Sequence, residues 1–212
     1  MPHRCPRWFL LLGLCFALFP AERLQAKTFV LMTENLEMPG GWVLETDSGL
    51  NRGARRYLTA PTPAVESAPA VGAIQMPHAG KWRVWVRSRD FAKDRPGARY
   101  FSLRLGQTRL EHRFGTHGQE GQDGWAWEDG GTIQAEAGPL LVVLGETARH
   151  SARCEAILLT DNMSYVPEGV TWELHKEAAV TQPVSLDEAS RKNFSPEAVS
   201  YTHLTLPTKR IV

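Results

Sequence analysis

The sequence predicts an all-β fold, an antiparallel two-sheet β-sandwich of jelly-roll type, on three observations. Short apolar runs alternate with a two-residue period, turn-forming residues interrupt them at close intervals, and no long stretch before Tyr165 carries a helical period. The remainder after Tyr165 reads as a mostly irregular tail.

Taken in order, the chain opens on an export signal. Arg4 and Arg7 precede a short apolar run (WFLLLGLCFALF), and Ala26 supplies a small residue at a cut before Lys27. That run is shorter than the roughly 20 apolar residues a bilayer span requires. Residues 1–26 are therefore expected to leave, giving a secreted or periplasmic protein with no membrane span after cleavage. Cys5 and Cys15 leave with the signal, so Cys154 remains without a disulfide partner. Its apolar neighbours Ala156, Ile157 and Leu158 mark it as a buried strand thiol. A net charge of +1 gives no electrostatic ground for nucleic acid or an anionic membrane as partner.

Residues 27–165 carry the strand signals. In 81–88 (KWRVWVRS), Trp82, Val84 and Val86 fall on one face and Arg83, Trp85 and Arg87 on the other. In 99–105, Phe101, Leu103 and Leu105 oppose Ser102 and Arg104. The continuous apolar runs 140–144 (LLVVL) and 156–160 (AILLT) suit central strands covered on both faces. Shorter candidates are 29–32, 42–45, 71–76, 110–114 and 132–135. Between them stand turn sequences, among them Pro77-His78-Ala79-Gly80, Gly106-Gln107 and Asp129-Gly130-Gly131. Residues 166–199 are polar and contain Pro167, Pro183 and Pro196, the composition of a linker. Within them Ser185 and Glu188 have capping-box spacing, predicting a short helix over 185–192. Residues 200–212 (SYTHLTLPTKRIV) resemble translated sequencing-adapter DNA and are read as a non-native tail, so the natural frame is expected to continue past Val199.

Motifs for common catalytic classes are missing: there is no nucleophile elbow, phosphate loop or His-Glu-x-x-His helix. His112 and His117 lack neighbouring ligands that would complete a zinc site and read as solvated loop residues. Asp123, Glu128 and Asp129 form an acidic cluster, but a glycosidase pair must face across about 5–9 Å, which nearness in sequence does not supply. Trp125 and Trp127, two apart on an extended backbone, share a face. They serve either as a platform for the apolar C–H faces of sugar rings or as caps on the core. On the first reading Trp125, Trp127, Glu128 and Asp129 are the ligand contacts, the carboxylates taking hydroxyl groups.

Several segments together carry a family resemblance: Glu34-Asn-Leu-Glu-Met-Pro-Gly-Gly-Trp42, Gly80-Lys-Trp-Arg-Val-Trp-Val-Arg-Ser-Arg-Asp90, Phe114-Gly115, Trp125-Ala-Trp127 and Arg153-Cys-Glu-Ala-Ile-Leu-Leu-Thr160. In this order they resemble carbohydrate-binding-module-like jelly rolls of the galactose-binding type. More closely, the set looks like the module placed before FAD-dependent oxidoreductase domains, and beside some sulfatases or glycoside hydrolases, in secreted bacterial proteins. The resemblance covers residues 29–165. It implies a structural calcium held by Glu34 and Glu155, with Met32 standing where a further carboxylate would be. Calcium prefers about six to eight oxygen ligands, so that replacement weakens the set. Any flavin belongs to a downstream domain, because this chain contains no dinucleotide-binding loop.

These readings combine into a non-catalytic carbohydrate-binding or accessory module of a truncated secreted protein. Its expected partners are a glycan and a downstream catalytic domain in the parent chain. The alternatives are a structural domain packing on that downstream oxidoreductase or hydrolase, and a free-standing glycan-active hydrolase or lyase.

Overall fold

The computed structural model describes residues 26–36, 41–47, 55–60, 69–90, 95–118, 124–145 and 151–168. Residues 1–25 of the signal expected at 1–26, residues 169–199 of the linker expected at 166–199 with the helix expected at 185–192, and the tail expected at 200–212 lie outside them.

The described residues form ten strands and no α-helix. In chain order these are β1 (Thr28–Met32), β2 (Val43–Asp47), β3 (Arg55–Thr59), β4 (Ala70–Met76), β5 (Gly80–Arg89), β6 (Ser102–Leu105), β7 (Thr108–Arg109), β8 (Trp125–Ala135), β9 (Gly138–Gly145) and β10 (Arg153–Thr160). A single 3-10 turn, Thr33–Asn35, follows β1. One sheet has six strands in the order β2-β3-β10-β5-β8, with β1 also paired to β10; the other has four in the order β4-β9-β6-β7. Every pairing is antiparallel. This is the two-sheet sandwich that the alternation predicts.

The core between the sheets follows the two-residue period. Trp82, Val84 and Val86 of β5 enter it together with Phe101, Leu103 and Leu105, all essentially fully buried. The continuous runs become β9 and β10, each flanked by strands on both sides. Their alternate residues feed two faces: Leu140, Val142 and Leu144 join the main core, whereas Leu141 and Val143 form a separate cluster with Val71 and Ala73. On the outer face of the six-stranded sheet Val30, Trp85, Ala156 and Leu158 form another apolar cluster, against which Met32, Trp127 and Tyr165 pack. The segment after β10 is tied to this face, since Arg83 Nη1 donates to the Met163 carbonyl at 2.6 Å.

Three local expectations are corrected. Residues 110–114 do not form a strand; Phe114 makes only an isolated bridge to Phe101, while β7 lies just upstream across the Gly106-Gln107 turn. The strand expected at 99–105 begins at Ser102. Asp129-Gly130-Gly131 is no turn, because β8 runs through it without a break.

Candidate functional site

The irregularity inside β8 borders an open concavity. Trp85 pairs with Asp129 and Val84 with Gly131, so Gly130 is the extra residue of a β-bulge. The bulge reverses the parity of the strand. Before it, Trp125, Trp127 and Asp129 share one face; after it, Ile133 and Ala135 turn into the core. Two glycines make this possible. Gly131 has φ +80°, a left-handed conformation that costs a side-chain-bearing residue energy. A Cβ on Gly130 would lie 3.1 Å from both Leu110 Cδ1 and Phe114 Cζ. Gly130→Ala should therefore lose about 1–3 kcal/mol of stability through overpacking, read as a lower urea midpoint; an unchanged midpoint would show that the bulge has slack.

Beside the bulge, β8 is the last strand of one sheet and β7 the last of the other. Between these edges lies an open cleft of about 650 Å³, lined from β7 onward by Thr108, Arg109, Leu110, Glu111 and His112, and from β8 by residues 129–132. That volume falls in the range of small-molecule sites, about 300–1,000 Å³. Leu110 and Gly130 supply apolar surface, and the remaining side chains supply charge and hydroxyl groups.

Two of the polar groups are held in place from behind. Asp129 accepts from Arg83 Nη2 at 2.6 Å and from its own bulge through Gly131 N–H at 2.9 Å. Burial alone would raise its pKa, but the hydrogen bonds from Arg83 and Gly131, with the charges of Arg83 and His112, bring it below the ordinary carboxylate value. The folded pKa being depressed, the stabilisation from this ionised carboxylate is complete above about pH 3.9 and disappears as pH falls through the lower folded value. His112 Nε2 lies 3.2 Å from Glu128 Oε2, and its ring meets Phe114 edge-on at 4.9 Å.

Glu128 itself is an internal anchor. It is 7% exposed, and its carboxylate accepts from Ser88 Oγ and from Gly115 N–H, the latter at 2.6 Å. Thr116 adds its N–H at 3.3 Å and its hydroxyl at 3.2 Å. One carboxylate thereby fastens the loop after β7 to strands β5 and β8. Glu128 and Asp129 lie on opposite faces of β8, so the structure does not bring them together as a carboxylate pair. Asp123 of the acidic cluster lies outside the described residues.

The tryptophans share a face as their spacing predicts, but that face is covered. Trp125 is 2% exposed and meets Tyr57 at 5.1 Å between ring centroids, bridging the two strands between β3 and β8. Trp127 is half-buried beside the outer cluster, with the Arg87 guanidinium 6.0 Å from its ring. Of the four ligand contacts expected from sequence, Asp129 alone lines the cleft.

No protein-family model matches this sequence, and no curated protein matches it either. Solved structures do match by shape. The GH26-CBM35 β-(1,4)-mannanase of Podospora anserina superimposes with a TM-score of 0.50 at 16% identity, over 66% of this chain and 29% of that one. The family 35 carbohydrate-binding module of Clostridium thermocellum gives 0.47 at 9% identity, over 63% and 97%. The corresponding module of Cellvibrio japonicus Abf62 gives 0.45 at 13%, over 62% and 92%. The likeness is one of fold, an antiparallel two-sheet β-sandwich. This chain spans less than a third of the mannanase's length.

The calcium site implied by resemblance can be tested against this chain's own side chains. Glu34 Oε2 lies 3.0 Å from Arg56 Nη1, an ion pair at the surface, and Glu155 Oε2 accepts from Arg87 Nε at 2.6 Å in a buried one. Among the described residues no three His, Cys, Asp or Glu side chains converge as metal ligands. Among the described residues, each of the two carboxylates expected to hold calcium faces an arginine, and such a pair does not fit the ion. Cys154 lies in the core, and burial pushes its thiol well above the ordinary value, as expected of an inert strand cysteine.

Sequence reasoning missed Arg109 and the cleft role of His112, which it read as a solvated loop residue. A signal was available in the glycine pair inside a long alternating run, since glycine within a strand marks a bulge as readily as a turn.

Proposed function

We propose that this chain is a non-catalytic carbohydrate-binding module and that the cleft between β7 and β8 takes a sugar unit. The observation that carries this is the pairing, in one open cleft, of an ionised acceptor (Asp129) with an anchored imidazole (His112). Sugar rings present hydroxyl groups around an apolar C–H face. Asp129 accepts hydrogen bonds from hydroxyls, Arg109 donates to others, His112 donates or accepts, and the Gly130 backbone over the buried Leu110 meets the ring. The likeness of the fold to the module of a β-(1,4)-mannanase supports the same reading and suggests the first ligand to try.

Affinity electrophoresis of the full chain in gels containing β-(1,4)-mannan and a panel of other neutral and acidic polysaccharides tests it. Retention is expected on at least one polysaccharide, and Asp129→Ala or His112→Ala should abolish it while leaving the circular dichroism spectrum unchanged. Free mobility on the whole panel counts against the proposal. So does retention that both substitutions leave intact. Because Asp129 stays ionised below the usual carboxylate range, retention should persist to about pH 4. In the parent protein such a module raises the local concentration of substrate near an appended catalytic domain. Export to the periplasm or outside the cell would bring it to polysaccharide.

A second reading is a structural domain packed on a further domain, to which the chain leaving β10 over the outer face of the six-stranded sheet would lead. There Tyr165 and the Met163 carbonyl draw the chain leaving β10 across Trp85 and Arg83. The two readings separate by the same electrophoresis, since a purely structural domain binds no polysaccharide.

A further inference from the structure

The disagreement with the calcium expectation has a specific cause at the start of β10. Pairing of β10 with β5 shifts between Cys154 and Ala156, which leaves Glu155 as the bulged residue. A bulge frees carbonyl groups from the ladder, and these together with a nearby carboxylate are the oxygens a divalent ion would collect. Here each is already engaged. The hydroxyl of Thr33, itself fully buried, lies 2.6 Å from the Cys154 carbonyl and 3.1 Å from that of Glu155. The Glu155 carboxylate accepts from Arg87 Nε, and both residues are almost inaccessible at 3% and 8% exposure. Tyr57 and Trp125 meet across the strands that carry this pair, and the Trp127 ring lies beside the guanidinium. Glu34, the other expected ligand, faces Arg56.

We infer that Arg87 is the resident cation of this module: its guanidinium, with the Thr33 hydroxyl, closes the β10 bulge, and the module folds and holds its shape without calcium. A divalent ion at Glu155 would have to share one buried carboxylate with a full positive charge already in hydrogen-bond contact with it. Repulsion in so water-poor a place excludes joint occupancy. Arginine suits the task because its charge persists at any ordinary pH and its planar donors fit a carboxylate. The inference is independent of where a glycan binds.

Two measurements on the full chain test it. Titration with terbium, a calcium surrogate excited through tryptophan, should give no saturable emission, and excess calcium or a chelator should leave Tm unchanged. Saturable terbium emission displaced by calcium, or a Tm raised by calcium, would overturn the inference. Separately, Arg87→Met should lower Tm by on the order of 10 °C or abolish folding, with Arg87→Lys recovering part of the loss. An Arg87→Met protein melting with the wild type would remove arginine from the role. The metal titration uses unaltered protein, so it decides the calcium question even if the variant cannot be purified.

Discussion

Replacing Glu128 with alanine should cost the sandwich about 3–5 kcal/mol, the range for breaking a buried charged network. The carboxylate is the common acceptor for Ser88 Oγ, the Gly115 and Thr116 amides and the Thr116 hydroxyl, with His112 beside it. Its removal leaves buried donors without an acceptor, each costing about 1–3 kcal/mol. The loop cannot move away to reach water freely. Gly115 has φ +79°, and its Cα is so close to β6's approach that an added Cβ would stand 2.6 Å from the Arg99 carbonyl oxygen. Glu128→Gln keeps the shape and one acceptor oxygen, so it should fall between alanine and wild type. Urea unfolding followed by tryptophan fluorescence measures both. Equal midpoints for Glu128→Ala and wild type would mean that the carboxylate is not the loop's anchor. Since native domains hold only about 5–15 kcal/mol in reserve, the alanine variant should also be the more easily proteolysed.

Trp82→Ala should be comparably damaging, at about 3–5 kcal/mol. The side chain is fully buried at the centre of the main core, with Phe29 of β1 at 5.5 Å and His78 stacked at 4.8 Å. It pairs across the sheet with Ile133. Truncation thus empties a cavity touching β1, β5, β8 and the turn before β5, which relax only in part because each is fixed by its own ladder. Trp82→Phe should lose much less. The same urea midpoints measure it, and an alanine variant within about 1 kcal/mol of wild type would place Trp82 outside the core.

The contrast between these two residues shows what the sequence made legible. Trp82 was readable because KWRVWVRS alternates strictly, and alternation alone assigns its faces. The same is true of Phe101, Leu103 and Leu105, and of the two unbroken apolar runs that become the central strands β9 and β10. Glu128 was readable only as a member of an acidic cluster. Its partners come from β5 and from the loop after β7, distant in sequence, and hydrogen bonds of that kind leave no local pattern. β3 escaped notice for a related reason. Arg55 and Arg56 open it as polar residues, and it is held by pairing with β2 and β10 rather than by its own composition.

The candidate site was legible in part. The two-residue spacing placed Trp125 and Trp127 on one face, and the structure agrees; that Asp129 shares it, just before the bulge, is seen only in the strand pairing. What spacing could not foresee is that Tyr57, three strands away, roofs Trp125, or that the outer face carries its own apolar cluster. Nor could it show that Arg87 and Arg56 stand against the two carboxylates assigned to calcium, since those contacts run between strands. The glycine pair after Asp129 was ambiguous between a turn and a bulge. The length of the β5 strand opposite it decided for the bulge, because Trp82 to Arg89 had to find partners on both sides of the kink.

Binding at the cleft between the two sheet edges is tested most directly by amide chemical-shift mapping of the full chain during titration with β-(1,4)-manno-oligosaccharide, or with whichever polysaccharide fragment retains the protein in gels. The predicted result is a set of saturable shifts centred on residues 108–112 and 129–132, absent in Asp129→Ala. Shifts confined to other surfaces, or none with any retained ligand, would contradict it.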